Sequence, residues 1–312
     1  MSLLSSRHLL GLENVPKEDI TKILDASDTF SEVLGRTIKK LPTLRGITVV
    51  NLFYENSTRT RISFELAEKR LSADTVNFSP SGSSVKKGES LRDTVQNIEA
   101  MKIDMVVVRH QSTGVPYFLT QCMQANIINA GDGAHEHPTQ GLLDMYTIRK
   151  KYGRLDGLRV VLVGDVKHSR VIRSNIWGLK TMGASVALCG PSTLMPYEVE
   201  KFGCDVYSNI DEALDGADVV NIMRIQLERQ QGGLFPSNRE YTNLFGITKE
   251  RLRRLNKDYT IMHPGPINRG VEITSEVADG DKSVILEQVT NGQAVRMAVL
   301  YLLSGRKEEG EE

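Results

Sequence analysis

Cysteine is scarce in this sequence of 312 residues, and Cys122, Cys189 and Cys204 lie far apart. None belongs to a Cys-x-x-Cys pair, and three cysteines cannot all pair within one chain. The spacing therefore excludes a disulfide framework and a zinc ribbon. We expect all three to be reduced thiols in the core.

Net charge is also lacking, because 39 Lys and Arg residues balance 39 Asp and Glu residues. The chain therefore has no net charge that would favour binding to nucleic acid or to a membrane surface. An anion site has to arise from local clustering of cations. No apolar stretch has the length of a signal peptide, or the roughly 20 residues needed to cross a bilayer. We therefore expect a cytoplasmic protein without nucleic-acid or membrane partners.

The sequence does contain a regular alternation of short apolar runs and amphipathic stretches, which is typical of α/β proteins with parallel sheets. A chain of this length usually divides into two domains. We predict two doubly wound α/β domains, each with a mostly parallel sheet flanked by helices. The predicted strands are 46–53, 75–78, 105–109 and 126–130 in the first domain, and 159–164, 185–189, 218–222 and 260–263 in the second.

The first domain is predicted to cover residues 1–137 together with the C-terminal helix 291–306, and the second to cover 151–288. The late helix is assigned to the first domain because its apolar stripe has to be buried against another surface. That stripe consists of Val295, Ala298, Val299 and Leu302. Residues 226–243, rich in Gln, Arg, Gly and Asn, are predicted to form a long mobile loop.

A run of hydroxyl groups and guanidinium groups, Ser57-Thr58-Arg59-Thr60-Arg61, lies where the first predicted strand gives way to a helix. A helix N-terminus offers N–H groups and the positive end of the macrodipole, so these side chains suit a phosphate dianion. An ordinary N-cap beside two surface arginines is the alternative.

Two further signals follow later strands. Arg109 ends a buried apolar strand, where open α/β sheets place ligand groups, although the side chain of such a residue can also point into solvent. His137 and Gln140 flank the next helix start. His137 is suited to stabilise charge on an attacked carbonyl oxygen, and Gln140 to accept a hydrogen bond from an NH₂ group. His135 and His137 have no third ligand at the usual spacing, so we expect no metal.

In this order, residues 57–61, Arg109 and residues 137–140 resemble the carbamoyl-phosphate domain of the transcarbamoylase family, and the resemblance extends over nearly the whole chain. It implies an enzyme, a carbamoyltransferase without cofactor or metal. The positions that correspond to carbamoyl-phosphate ligands are Ser57, Thr58, Arg59, Thr60, Arg109, His137 and Gln140. Of these, the resemblance implies catalytic roles for Arg59, Thr60, Arg109 and His137.

The loop 81–90 resembles that of the aspartate-specific members of the family. The likeness implies that Ser83 and Lys87 reach into the active site of a neighbouring subunit. There Ser83 would contact carbamoyl phosphate, while Lys87 would be catalytic and would also bind aspartate. A lysine suits this task because its ammonium group has three donors. A solvated Gly/Ser/Lys loop is the alternative.

Further cations are needed to bind the two carboxylates of aspartate, and two arginines follow strands of the second domain. By correspondence with the family, Arg170 and Arg224 would bind the carboxylates of aspartate, and Gln226 would also contact aspartate. Guanidinium is well shaped for bidentate carboxylate recognition. Surface arginines are also common on such loops, which is the alternative.

The turn after the last predicted strand, within residues 262–273, resembles the family loop whose backbone carbonyls receive the carbamoyl NH₂. The corresponding carbonyls here are those of Gly265 and Pro266. Many aspartate enzymes have Leu where this chain has Gly265, but a carbonyl contact does not depend on the side chain. Ornithine-specific relatives usually carry His-Cys-Leu-Pro at this turn, and this chain lacks that string.

The resemblance therefore implies transfer of the carbamoyl group from carbamoyl phosphate to the α-amine of L-aspartate. The products would be N-carbamoyl-L-aspartate and phosphate, in de novo pyrimidine (UMP) biosynthesis. It also implies a homotrimer with shared active sites, and it leaves open whether a regulatory chain or a dihydroorotase binds that trimer.

Three alternatives remain at this point. Transfer to another amine, such as ornithine or acyl-ornithine, is the nearest. A dinucleotide-binding protein is more distant, because residues 160–165 resemble a Rossmann opening strand but the remaining glycines of that motif are missing. A non-catalytic scaffold of the same fold is the third.

Overall fold

The computed structural model of the protein describes residues 4–78, 88–225, 237–255 and 257–305. The chain forms two compact units. Unit 1 comprises Met1–Leu143 and Thr290–Glu312, and unit 2 comprises Asp144–Val289. Within the covered ranges, no helix has both the length and the apolar character needed to cross a membrane.

Unit 1 is built on a four-stranded sheet in the order β2-β1-β3-β4, in which all neighbouring strands are parallel. The strands are β1 (Thr48–Phe53), β2 (Asp74–Phe78), β3 (Met105–His110) and β4 (Asn126–Asp132). The inner strands are apolar along most of their length because helices flank a parallel sheet on its faces. Val50 of β1, for example, pairs with Val106 of β3, and both are buried.

The helices of unit 1 include some that the sequence analysis did not predict. Its helical elements are α1 (Lys17–Leu34), α2 (Thr58–Arg70), α3 (Leu91–Glu99), α4 (Val115–Thr120), the start of α5 (Pro138–Tyr152) and most of α11 (Ile285–Ser304). The longest of these is α1, which buries an apolar face. That face includes Ile20, Ile23, Leu24, Phe30 and Val33.

Helix α11 begins at Ile285, six residues earlier than the predicted start at residue 291. In unit 1 its Gln293 and Arg296 donate to the Ser63 hydroxyl of α2, at 2.6 and 2.9 Å. Of the predicted stripe, Val295, Ala298 and Val299 are buried, whereas Leu302 is partly exposed.

Unit 2 contains a five-stranded parallel sheet in the order β7-β6-β5-β8-β9. The strands are β5 (Arg159–Val163), β6 (Ser185–Cys189), β7 (Asp205–Tyr207), β8 (Val219–Ile222) and β9 (Thr260–Met262). The sequence analysis did not predict β7. It has three residues, lies at the sheet edge and exposes Asp205 and Val206, so no apolar run marks it.

The helices of unit 2 correct the prediction of a long loop over residues 226–243. They are the rest of α5, α6 (Arg170–Thr181), α7 (Ile210–Leu214), α8 (Asn238–Phe245), α9 (Lys249–Leu252), α10 (Ser275–Ala278) and the start of α11. Residues 226–236 lie outside the described ranges, but Asn238–Phe245 is helical. The Ser237 hydroxyl accepts from Glu240 N at 3.1 Å, and Tyr241 and Phe245 are buried one turn apart. A good N-cap and an apolar i, i+4 pair outweighed the polar composition.

The three cysteines are free thiols, but they are not all core residues as predicted. Cys189 is buried in β6, and burial raises the pKa of its thiol to about 12. Cys122 and Cys204 are partly exposed. Burial raises the pKa of the Cys204 thiol as well.

Candidate active site

The predicted site residues of unit 1 lie at or beyond the carboxyl ends of strands that meet at one edge of its sheet. The chain runs from β1 to β2 on one side and then continues to β3 on the other, so the strand order reverses between β1 and β3. At this reversal Phe53, the last residue of β1, is paired with Arg109 of β3. Open α/β sheets bind ligands outside the carboxyl ends of the strands at such a reversal.

Four residues separate β1 from the N-terminus of α2, which carries the first signal. Its N-cap, Ser57, has extended backbone, and in the described chain its hydroxyl caps none of the helix N–H groups. The first turn contains the cations Arg59 and Arg61 and no acid. Thr58 and Arg59 are exposed, whereas Thr60 is 9% exposed. This helix end therefore combines N–H donors, hydroxyl groups and positive charge, as an anion site requires.

Arg109 links the loop that follows β1 to strand β4. One guanidinium nitrogen donates to the Ala130 carbonyl at 3.1 Å, and another donates to Glu55 Oε1 at 2.9 Å. The two charged side chains are 11% and 22% exposed, so the pair is only partly screened by solvent. Sequence reasoning missed Glu55. Its position directly before a cation-rich helix start, where a counter-ion is useful, is the signal that could have identified it.

His137 and Gln140 stand at the N-terminus of α5. The His137 carbonyl accepts from Gln140 N at 2.9 Å and from Gly141 N at 3.2 Å, which closes the first turn of the helix. The two side chains are 4% and 9% exposed. The preceding turn needs glycine at Gly133, where φ is +47° and a Cβ atom would come within 2.4 Å of the Thr113 hydroxyl.

The neighbouring His135 has a structural partner. Asp132 accepts from Gly114 N at 2.8 Å and Asn129 Nδ2 at 2.8 Å, and its carboxylate lies 3.2 Å from His135 Nδ1. Burial tends to raise the pKa of Asp132, but these hydrogen bonds together hold it below its ordinary value. The ionised carboxylate therefore fixes the turn before α5.

The fold brings a third possible metal ligand to this region that local spacing did not reveal. Glu13, His135 and Glu136 each offer one ligand atom, and these atoms lie within 4.8 Å of one another. However, the Glu136 carboxylate already accepts from Leu12 N at 2.7 Å and Glu13 N at 3.1 Å. These contacts give Glu136 a structural role in holding the N-terminal segment.

In unit 2 the strand order reverses between β5 and β8. Gly164 follows β5 with φ +132°, and a Cβ atom there would lie 2.8 Å from the Met223 carbonyl. Met223 N, just beyond β8, donates to Val163 O at 2.8 Å. Glycine thus lets the two segments run close together at the reversal, and the half-buried Arg224 follows immediately.

Arg170 is the first residue of α6 and is 3% exposed. The loop before it is held by its own side chains. Ser169 caps the helix by accepting from Ile172 N at 3.2 Å, and the fully buried Asp165 accepts from His168 N at 3.1 Å and contacts His168 Nδ1 at 2.9 Å. Gly164 is the one glycine between β5 and α6, so the Gly-rich turn of dinucleotide-binding proteins is not formed.

The turn after β9 contains Gly265 and Pro266, joined by a cis peptide bond. Gly265 N donates to His263 Nδ1 at 2.7 Å. In a parallel sheet this turn lies at the same edge as the ends of β5 and β8, because β9 is the neighbour of β8.

The predicted site residues thus divide between the two units. Unit 1 holds Ser57, Thr58, Arg59, Thr60, Arg109, His137 and Gln140, and unit 2 holds Arg170, Arg224, Gly265 and Pro266. Ser83, Lys87 and Gln226 lie outside the described residues, so their predicted roles stay predictions.

Comparison with known proteins matches both units to one family. Residues 7–150 match the carbamoyl-P binding domain of aspartate/ornithine carbamoyltransferases, and residues 156–303 match the Asp/Orn binding domain. The aspartate carbamoyltransferase catalytic subunit of Gemmatimonas aurantiaca is 60% identical, over 97% of this chain and 95% of that protein.

Solved structures of aspartate and ornithine carbamoyltransferases also match this chain. The aspartate transcarbamoylase from Trypanosoma cruzi in complex with carbamoyl phosphate and aspartate superposes with a TM-score of 0.84 at 29% identity, over 94% of this chain and 95% of that one. The ornithine carbamoyltransferase from Pyrococcus furiosus gives a TM-score of 0.85 at 26% identity, over 98% and 99%. Sequence and structure together establish that this chain belongs to the aspartate/ornithine carbamoyltransferase family.

Proposed function

We propose that this chain is an aspartate carbamoyltransferase catalytic chain, which transfers the carbamoyl group of carbamoyl phosphate to the α-amine of L-aspartate. The observation that carries the proposal is the edge of the unit 1 sheet. Arg109 lies there near the end of β3, the cationic start of α2 follows β1, and His137 follows β4. High identity to relatives named as aspartate carbamoyltransferases supports aspartate as the acceptor.

In this proposal the phosphate group binds at the start of α2. The hydroxyls of Ser57, Thr58 and Thr60 and the guanidinium of Arg59 surround the positive end of the helix and provide donors for three phosphate oxygens. Arg109 adds a second guanidinium. The dianion would have to compete with Glu55, which accepts a hydrogen bond from Arg109 at 2.9 Å.

The carbamoyl group itself would be bound from several sides. Arg109, His137 and Thr60 donate to the carbonyl oxygen, and these donors gain strength as charge builds up on that oxygen in the transition state. Gln140 and the carbonyls of Gly265 and Pro266 accept from the NH₂ group.

Aspartate would bind through its carboxylates to cations of unit 2. Arg170 and Arg224 follow the two strands at the reversal, and each guanidinium can hold a carboxylate with two hydrogen bonds. We assign Lys87 and Gln226 to the same substrate, and Ser83 to carbamoyl phosphate, on the basis of the family likeness.

Catalysis then rests on positioning and on charge stabilisation. The neutral α-amine attacks the carbonyl carbon, a tetrahedral intermediate forms against Arg109 and His137, and the C–O bond to phosphate breaks. The departing phosphate is basic enough to take the proton that the amine releases, so no protein base is needed. His137 acts as a hydrogen-bond donor in this scheme.

We further propose a homotrimer in which Ser83 and Lys87 complete the site of a neighbouring subunit, in the cytoplasm and in pyrimidine biosynthesis. Three unlinked cysteines suit a reducing compartment. Whether a regulatory chain or a dihydroorotase binds the trimer is testable by co-purification. Mixing inactive Lys87→Ala and His137→Ala chains should restore part of the activity, since some mixed sites receive both intact residues. No recovery after demonstrated subunit exchange would contradict the shared site.

The fold does not discriminate between acceptors, because an ornithine enzyme superposes as well as an aspartate enzyme. The proposal is therefore tested with purified protein, carbamoyl phosphate and either L-aspartate or L-ornithine, with a chelator present. We expect carbamoyl-aspartate alone. Product from ornithine alone would overturn the acceptor assignment, and loss of activity with chelator would overturn the metal-free mechanism.

A further inference from the structure

The turn after β9 is held by a buried hydrogen-bond network that the proposed chemistry has not used. His263 follows β9 directly, and its side chain and that of Glu272 are both fully buried. His263 Nδ1 accepts from Gly265 N at 2.7 Å, and Nε2 lies 3.2 Å from Glu272 Oε1. A backbone N–H can only donate, so Nδ1 must be unprotonated, and the ring proton resides on Nε2 and is donated to Glu272.

The same carboxylate oxygen also holds the far end of the turn. Glu272 Oε1 accepts from Asn268 N at 2.5 Å, so one buried oxygen fixes residue 268 directly and Gly265 through the imidazole. Burying a carboxylate is costly unless it forms strong hydrogen bonds. The arrangement therefore fixes both ends of a four-residue segment.

The backbone before the turn is fixed independently. His263 N donates to Gln288 Oε1 at 2.9 Å, and Gln288 Nε2 donates to Asp144 Oδ1 at 2.8 Å. The other oxygen of Asp144 accepts from Asn175 at 2.8 Å and Asn221 at 3.2 Å. All of these side chains are buried. The network thus connects the turn to α5, α6, β8 and α11 within unit 2.

The network leaves the turn rich in acceptors and poor in donors. Proline has no N–H group, and the N–H of Gly265 is already used by His263. In the described chain, the carbonyls of Gly265 and Pro266 accept no hydrogen bond, and both residues are at least partly accessible. Two free carbonyls without a competing donor suit a group with two N–H bonds.

We propose that His263 and Glu272 are positioning residues that fix the Gly265 and Pro266 carbonyls and so select a carbamoyl NH₂ over the methyl group of an acyl phosphate. This inference rests on the proposed function, because it takes carbamoyl phosphate as the ligand. It adds the residues that give the turn its selectivity.

Acetyl phosphate provides the test, since it carries a methyl group where carbamoyl phosphate carries NH₂. Binding of both compounds is measured by calorimetry on the full chain. Glu272→Ala should weaken carbamoyl phosphate binding about tenfold, the effect of losing one or two well-placed hydrogen bonds. Acetyl phosphate binding should stay unchanged, because its methyl group makes no such bonds.

Glu272→Gln keeps an acceptor oxygen for His263 and Asn268, so it should recover most of the lost affinity. Glu276→Ala removes an exposed acid four residues away and serves as the matched control, with both affinities unchanged. If Glu272→Ala does not fold, as judged by circular dichroism, His263→Asn replaces it. The asparagine oxygen can still accept from Gly265, while the link to Glu272 is lost, and the same selective weakening is expected.

Equal weakening of both ligands would overturn the inference, because it would mean that Glu272 supports the fold without selecting the NH₂ group. Unchanged binding of both ligands would overturn it as well. Failure of the proposed function is a separate result. The wild-type chain would then bind carbamoyl phosphate in preference to acetyl phosphate yet form no carbamoyl-aspartate, and the role of His263 and Glu272 would stand.

Discussion

The two sheets place arginines beside equivalent strand reversals but give them different surroundings. In unit 1, Arg109 is the penultimate residue of β3 and is paired with Glu55 at 2.9 Å. A contiguous run of hydroxyl groups and cations begins the helix that follows β1. In unit 2, Arg170 and Arg224 come from separate loops, and Arg170 is 3% exposed at the start of α6.

This difference matches the substrates that the proposed function assigns to the two units. A phosphate dianion is bound well by one helix N-terminus, so its ligands can be neighbours in the sequence. An amino acid with two carboxylates needs cations that converge from different directions, so its ligands come from several loops. We therefore expect substitutions in unit 1 to lower kcat, and substitutions in unit 2 to raise the KM for aspartate.

The largest effect is expected for Arg109→Ala. Arg109 is proposed to contact both the phosphate and the carbonyl oxygen, and loss of one preorganised donor of this kind typically costs 10²–10³ in rate. We expect kcat to fall about a thousandfold. Arg109→Lys should recover only part of the rate, because an ammonium group lacks the planar fork. A steady-state kcat within tenfold of wild type would contradict the role of unit 1.

A buried carboxyl group in α2 allows the stability of unit 1 to be tested apart from its chemistry. Burial raises the pKa of Glu68 from 4.5 to about 7, although Asn51 donates to it at 2.9 Å. Between those values the folded chain keeps a proton that the unfolded chain loses. Stability therefore falls as pH rises through this window and levels off above the folded pKa, by about 3 kcal/mol in total.

Glu68→Gln should remove this pH dependence, as measured by urea unfolding between about pH 5 and about pH 8. The matched control is Glu65→Gln on the same helix. Glu65 is more exposed, and its hydrogen bond from Lys69 lowers its pKa, so this substitution should leave the dependence in place. An unchanged pH profile in Glu68→Gln would show that another group controls it.

Arg170→Ala tests the aspartate-binding role that we propose for unit 2. Loss of a guanidinium group that binds a charged ligand costs about 2 kcal/mol of binding free energy, so the KM for aspartate should rise about thirtyfold. The affinity for carbamoyl phosphate should not change, because that ligand is assigned to unit 1 and to the turn after β9. A loss of carbamoyl phosphate affinity of similar size would mean that the two units do not divide the substrates as proposed.

The smallest effect is expected for Gly164→Ala, which tests the close approach at the unit 2 reversal. Alanine would adopt a strained φ of +132° and press against the Met223 carbonyl, which lies just before Arg224. We expect a loss of about 2 kcal/mol in unfolding free energy and about a threefold rise in the KM for aspartate.

Gly153→Ala is the control for this substitution. Its φ is +72° but nothing lies within 4 Å of the added Cβ atom, so stability should fall by about 1 kcal/mol without any change in KM. Equal KM values in the two variants would show that the crowding at Gly164 does not affect the aspartate site.

The sequence by itself determined the α/β class, eight of the nine described strands and the helix start rich in hydroxyl and guanidinium groups after β1. These features depend on local patterns: apolar runs of strand length, helix starts rich in hydroxyls, and an arginine at a strand end. Strand β7 was missed because a short exposed edge strand has no apolar run. Helix α8 was missed because the polar composition of residues 226–243 was given more weight than the N-cap Ser237 and the buried pair Tyr241 and Phe245.

The tertiary structure alone decided which side chains became partners across long separations in sequence. Glu55 meets Arg109 because β1 and β3 are neighbours in the sheet, although 54 residues separate the two side chains. Gln288 reaches both His263 and Asp144 because α11 begins beside the end of β9 and the buried part of α5 in unit 2. Such pairings depend on the strand order, which decides which side chains become neighbours. They also depend on burial, because a buried charged or polar group is nearly always hydrogen-bonded.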